Sequence, residues 1–460
     1  MKEFIKKVSW VTIANATAMV VSALITILLP KYISTAGYGY WQMYLLFVTY
    51  IGCIHLGLPD GIYLRYSGKT YSEVVSNEVK ILFWISSLWE WIVGVAIFFW
   101  ISRTTISQMA VAFTLCTVIY VPSLYLKYIM LSSNMMKQYS LYMLSEKLFA
   151  IVAIFVGLFV YRPILYHFIS VDICGKLIAF IYALIVCRTC FHIHNQKVET
   201  LVIEFRLNVK AGICLMISTV SSNLIVGTIR LFINQRWSIE DFGRVSLSLQ
   251  ISNFVLTFVR AVSLPLFPVI KMRGRNGAVA IYERIRLILV SIILFVFIFY
   301  YPLAAFLNQW LPDYTTSVYY LGILFPICLF EAKQALLCET YLKSFRKERF
   351  LLLINVGTML ISILLGGFIV FILNNQVLAI IFILIILCFR STVSELFLNK
   401  VMNRKAFRHI VLEIIMVTAF VTSNILLGLK YAALFYLLCF AIFVVLNREG
   451  YQKLKRTKED

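Results

Sequence analysis

The residues best able to do chemistry are charges set inside long apolar runs. Glu90 stands near the middle of one run, and Asp172 and Lys176 lie four apart in another, so they share a helix face and can pair. Arg230 and Arg260 have no opposite charge at helical spacing in their own runs. Glu331, Lys333 and Glu339 fall together in a further run, and Arg390 in a later one. A charge at the bilayer centre costs at least about 2.5–3.5 kcal/mol on insertion scales, so each needs a partner, a watery cavity or a route to the surface. The chemistry open to them is that of ions. An arginine keeps its charge at any physiological pH, and its planar donor fork suits the oxygens of a diphosphate. Arg230, Arg260, Lys176 and Lys333 are therefore expected to meet an anionic ligand. Glu90 and Asp172, acidic and deep, are the carboxylates expected to couple to an ion. Each has a plainer reading: Asp172–Lys176 as a structural pair, the arginines as packing against helix carbonyls. Glu339, Glu395 and Glu413 lie near span ends, where they are expected to snorkel or pair with loop cations.

Other reactive patterns are missing. The chain has no GxxxxGK[ST], HExxH or GxSxG, so neither a nucleotide motor nor an enzyme is expected, and no cofactor. Cys187, Cys190, His192 and His194 form a CxxCxHxH string without the spacing of a zinc module, so no metal is expected. The ten cysteines are scattered through apolar segments and imply no disulfide framework.

The elements that must position these charges follow from composition. Of 460 residues, 61% are apolar and 14% charged, against roughly 45–50% and about 25% in soluble proteins. With a mean hydropathy of +0.89, a soluble enzyme, a secreted disulfide scaffold and a disordered chain are excluded. Apolar runs long enough to cross about 30 Å of hydrocarbon recur throughout. They predict an all-α polytopic membrane protein with about fourteen spans. The first seven are 8–30, 39–58, 80–101, 109–135, 142–160, 165–187 and 210–234. The second seven are 243–268, 284–306, 317–340, 350–373, 377–398, 408–427 and 430–447. A β-barrel would alternate over about ten residues, whereas these runs are continuous. The start resembles a signal n-region, but its apolar run continues to Pro30 and reads as a retained first span.

The net charge of +21 would suggest nucleic acid on a soluble chain. Here the cations set topology. With the N-terminus inside, the inner segments hold 24 Lys and Arg and the outer loops 4, with 14 of the 42 inside spans. Both termini are expected to be cytoplasmic. Residues 453–460 form a basic tail, read as an anchor near anionic lipid.

A shift of 204 residues aligns the two halves: Gly39 with Gly243, Pro122 with Pro326, Lys69 with Arg273 and Lys80 with Arg284. This predicts an N-lobe over 1–200 (spans 1–6), a C-lobe over 201–403 (spans 7–12), and an appendage over 404–460 carrying spans 13–14. Six spans separate equivalent ones, so the lobes should be related by a pseudo-twofold along the membrane normal, with a cavity open to one side at a time. Lys127 and Glu331 are also 204 apart and opposite in charge. They are expected either to pair as a gate or to snorkel independently.

Short motifs stand at the lobe entrances: Ala36-Gly-Tyr-Gly-Tyr-Trp41, Leu56-Gly-Leu-Pro-Asp-Gly-Ile-Tyr-Leu-Arg65, Glu240-Asp-Phe-Gly-Arg244 and Leu264-Pro-Leu-Phe-Pro268. Leu311-Pro-Asp-Tyr314 and Tyr341-Leu-Lys-Ser-Phe-Arg-Lys-Glu348 follow. Asp60 is either part of such a motif or a helix cap. Together they resemble the polysaccharide transporters of the multidrug/oligosaccharidyl-lipid/polysaccharide exporter superfamily, the Wzx-type flippases. The resemblance implies an undecaprenyl-diphosphate-linked oligosaccharide as cargo, moved from the inner to the outer leaflet of a bacterial plasma membrane for O-antigen (lipopolysaccharide) or capsule synthesis. With no nucleotide site, uphill movement of cargo is expected to draw on a proton or sodium counter-ion, and polymerase and chain-length regulator partners are expected. A multidrug antiporter of the same superfamily would want acidic cavity groups, whereas the lone arginines favour an anion. A polysaccharide polymerase or ligase would have a substantial outer loop, which is absent here.

Overall fold

The computed structural model describes the backbone of residues 2–103, 107–160, 165–194, 197–272, 274–404 and 407–448. Side chains are described from residue 10 onward in these stretches, apart from 107–108, 153–160, 258, 260–272, 274–278, 280 and 407. The described residues contain helices and no strand. Ten of these helices are long and apolar enough to cross a membrane, or twelve if each of two bent pairs is one span. The two further predicted spans, 142–160 and 243–268, fall in helices whose side chains are described only in part.

The chain divides into two compact units, Met1–Asn223 and Leu224–Asp460. The first contains α1 (Lys2–Tyr32), α2 (Thr35–Ile51), α3 (Leu58–Tyr66), α4 (Tyr71–Val74), α5 (Asn77–Ile101), α6 (Ser107–Ser132), α7 (Met136–Val160), α8 (Leu165–Val186) and the first part of α9 (Val198–Arg236). Capping side chains punctuate the apolar runs. Ser34 accepts the Gly37 amide at 3.1 Å to start α2, and Ser76 accepts that of Val79 to start α5. At α4, the Thr70 amide and hydroxyl both donate to Glu73 at 2.7 Å, which holds that exposed carboxyl below its usual range. Helix α5 packs along α6, α7 along α8 and α1, and α6 along α8. Their shared core includes Phe83, Tyr125, Leu126, Ile129 and Ala183.

Predicted span 2 is not one straight helix. Leu56 and Gly57 take left-handed conformations (φ 53° and 74°), Pro59 opens α3, and the chain turns by 66° between α2 and α3. A proline in the first helical turn gives up no hydrogen bond, so the turn is a natural place to restart. Asp60 sits in that first turn, with Gly57 as the cap.

The second unit takes the remainder of α9, then α10 (Ile239–Met272), α11 (Gly274–Val296), α12 (Tyr300–Trp310), α13 (Thr315–Leu324), α14 (Ile327–Ala332), a π-helical segment at Lys333–Glu339, α15 (Thr340–Ser344), α16 (Glu348–Gly367), α17 (Gln376–Val401), α18 (Phe407–Leu426) and α19 (Leu429–Leu446). The aligned prolines behave differently. Pro122 is absorbed within α6, whereas Pro326 stands at a 49° bend between α13 and α14, followed by the π segment. Helices α16 and α17 form a close hairpin, with Phe350 stacked on Phe397 at 3.5 Å between ring centroids.

Candidate functional site

Each unit buries a charge cluster of its own. In the first unit, Asp172 and Lys176 of α8 form the ion pair that their spacing predicts. Tyr44 of α2 donates to Asp172 at 2.8 Å, Glu146 of α7 lies 4.0 Å from the Lys176 ammonium, and Lys147 holds Glu146 at 2.9 Å. Two cations thus face two carboxylates across α7 and α8, with the Tyr44 hydroxyl of α2 joining them. Lys176 also lies over the Tyr44 and Tyr120 rings, at 6.0 and 5.5 Å from their centroids.

Glu90 of α5 is fully buried, and neither carboxylate oxygen has a hydrogen-bond partner among the described residues. A buried carboxyl without a donor is costly while charged. Lys127 lies 6.0 Å from the Tyr139 ring centroid. Asp60 is buried, 3.8 Å from His55 Nε2.

Where α3 crosses α9 the backbones nearly touch. A Cβ on Gly61 would lie 1.9 Å from the Asn208 carbonyl oxygen, and one on Gly212 would lie 2.0 Å from that of Gly57. One turn further along, Arg65 grips Glu204 with both terminal nitrogens at 2.6 and 3.2 Å. The series Gly57, Gly61, Arg65 therefore meets Gly212, Asn208, Glu204, each stepping by four residues.

The second unit holds the denser cluster. Arg286 of α11 donates to Glu395 of α17 at 2.5 Å and also to Glu413 of α18. Lys333, opening the π segment, bonds Glu413 and forms a 2.6 Å ion pair with Glu395. Tyr282 donates to Glu395 at 3.3 Å. All four charged side chains are at most 8% exposed, so two cations and two carboxylates neutralise one another out of reach of water. Glu395 and Glu413 accordingly do not snorkel; their partners lie inside the helices. Arg390 pairs with Glu331.

Arg230 donates to Ser246 at 3.0 and 2.7 Å and lies 4.9 Å from the Phe242 ring centroid, binding α9 to α10. Arg260 is in α10, and its side chain, like the tail 453–460, lies outside the described residues. The structure therefore brings together Asp172 with Lys176, Lys333 with Glu395 and Glu413, and Glu331 with Arg390. It adds Glu146, Arg286 and the Arg65–Glu204 pair, which sequence reasoning missed. Among the described residues no group of three or more His, Cys, Asp or Glu could hold a metal ion.

No protein-family profile and no curated protein matches the sequence. Solved structures match the fold. The lipid II flippase MurJ, in an inward closed conformation, is similar with a TM-score of 0.62 at 12% identity, over 96% of this chain and 99% of that one. A multidrug resistance MATE family transporter of the MOP superfamily is similar at 0.56 in its inward-facing conformation, at 11% identity over 85% of this chain and 94% of that one. Its outward-facing conformation also scores 0.56, at 13% identity over 86% and 96%. The chain has the fold of MOP-superfamily transporters. The fold likeness agrees with the resemblance that the motifs carry, and these neighbours are a flippase and a transporter rather than enzymes.

Proposed function

We propose that the chain is a flippase that carries an undecaprenyl-diphosphate-linked oligosaccharide from the inner to the outer leaflet of a bacterial plasma membrane. It would work by alternating access, with both termini cytoplasmic. The observation that carries this reading is a fold shared over nearly the whole chain with a flippase of lipid II. Arg230 and Arg260, which have no opposite charge at helical spacing in their own runs, and the motifs Ala36–Trp41 and Leu56–Arg65 support an anionic, lipid-linked cargo. In this reading Arg260 takes the diphosphate, with Arg230 nearer the exit. Lys176 and Lys333 add positive charge in states that release them from the carboxylates holding them here, and Glu90 and Asp172 couple transport to a proton or sodium gradient. The Lys127–Glu331 gate belongs to the same reading; its test is charge reversal at each position, with rescue by the double swap.

Deleting the gene should leave lipid-linked oligosaccharide on the cytoplasmic face and remove the surface polymer. Normal surface polymer in a deletion strain with no redundant flippase would reject the proposal. The fold likeness to a multidrug resistance transporter favours a second reading, drug export. Under that reading the deletion strain keeps its polymer and becomes sensitive to cationic drugs.

A further inference from the structure

The carboxylate of Glu204 receives an unusual number of donors for a group at the end of a short helix crossing. Arg65 gives it two N–H bonds, at 2.6 Å to Oε1 and 3.2 Å to Oε2. The Tyr66 hydroxyl gives a third at 2.6 Å, and the Asn208 side-chain amide a fourth at 2.8 Å, both to Oε1. Arg65 is braced from behind by a 2.8 Å bond to the side-chain oxygen Oδ1 of Asn208. The ammonium of Lys69 stands 4.7 Å from the Tyr66 ring centroid, adding a second cation at the rim.

These donors are held in place by backbone. The glycine contacts between α3 and α9 leave no room for either helix to slide, so Arg65, Tyr66 and Asn208 keep their spacing whatever occupies them. The site is not sealed: the Arg65 side chain is 28% exposed and that of Glu204 14%. A fixed fork, a hydroxyl and an amide converging on one anionic group form a receptor for an oxyanion. A phosphate presents the same paired oxygens as a carboxylate, with more charge and more acceptors.

We propose that Arg65, Tyr66 and Asn208, with Lys69 at the rim, form a binding site for a phosphate-bearing ligand, and that Glu204 fills it in this conformation as a built-in plug. The ligand must displace Glu204, so its apparent affinity is reduced by the fraction of time the plug is seated. Naming a diphosphate as that ligand rests on the flippase reading. Under the charge-based orientation this end of α3 faces the cytoplasm, the side from which such a cargo comes.

The test is binding of inorganic pyrophosphate to the full chain in nanodiscs, by calorimetry, with the thermal midpoint as a check on folding. A plug seated nine-tenths of the time lowers affinity about tenfold, so Glu204→Gln should bind pyrophosphate about tenfold more tightly than the wild type. Glu204→Asp, which keeps the charge but falls short of the fork, should show part of that gain if the glutamine variant folds poorly. Arg65→Ala in the Glu204→Gln background should abolish the gain, and Arg65→Lys should keep only part. Farnesyl diphosphate that competes with pyrophosphate assigns the site to a prenyl diphosphate. Pyrophosphate binding that farnesyl diphosphate leaves untouched assigns it to a soluble phosphate. No gain in either Glu204 variant, or a gain that survives Arg65→Ala, overturns the site. Because nothing in this assay depends on transport, a normal surface polymer after gene deletion rejects the flippase reading without touching the site.

Discussion

A charge buried in a membrane protein is tolerable only while its neighbours cancel it, and each neighbour is then as consequential as the charge itself. In the second unit, removing Glu413 leaves Arg286 and Lys333 sharing Glu395 alone. Breaking a buried pair from one side typically costs about 3–5 kcal/mol. We expect Glu413→Leu to lower the thermal midpoint of the purified protein sharply. Joint replacement of Lys333 by Met and Glu413 by Leu should cost less than the sum of the single changes, because the interaction energy appears in the cycle. Additive losses would show that the pair is not coupled. The two arginines proposed for the diphosphate separate in the same way. Arg230 is bonded to Ser246 and lies over Phe242, so Arg230→Ala should first reduce thermal stability. Arg260→Ala should reduce cargo flipping at normal expression, with Arg260→Lys restoring only part because an ammonium cannot reproduce a bidentate fork. Full flipping in the Arg260 variants would remove that residue from the proposal. The pair Asp172–Lys176 was legible because both partners sit one helical turn apart in the same run. Arg286 with Glu413 was not legible: their partnership spans 127 residues, and no helical period connects them. An excess of opposite charges at the ends of spans 9, 10, 12 and 13 was the only sign available.

At the scale of elements, continuous apolar runs announced most helices, since bilayer-crossing length is written directly into hydropathy. Their breaks were less visible. Pro59 and Pro326 both marked a change of direction, but Pro122 did not, because a helix in a packed bundle can satisfy the freed carbonyl elsewhere. Nor does a glycine announce what approaches it. Gly61 has a carbonyl where a Cβ would go, whereas Gly357 in α16 has nothing within 4 Å. Gly61→Ala should therefore force α3 and α9 apart and destabilise the protein by about 1–3 kcal/mol or more. Gly357→Ala should be neutral or add about 0.5–1 kcal/mol through helix propensity. Thermal midpoints of the two variants, measured side by side, check the contrast. Equal effects would mean the α3–α9 contact is loose.

For the molecule as a whole, the distribution of basic residues predicts a definite sidedness. A reporter that fluoresces only in the cytoplasm should be bright when fused after residue 460. Alkaline phosphatase at the same point should be inactive, and the reverse pattern would invert the proposed orientation. The second unit's charge cluster also has a history within each molecule. Helices are made in order, so Arg286 and Lys333 reach the membrane well before α18 does. Glu413 is added 127 residues after Arg286, which at about 5–20 residues per second is a delay of roughly 6–25 s. For most of that interval neither carboxylate has been made: Glu395 follows Arg286 by 109 residues, and only then do the two cations have one carboxylate between them. Helix α11 and the π segment that carries Lys333 cannot then be released to lipid one at a time without exposing an unbalanced charge. They should wait beside the insertion machinery until α18 emerges, which makes the last helix pair the step that completes assembly.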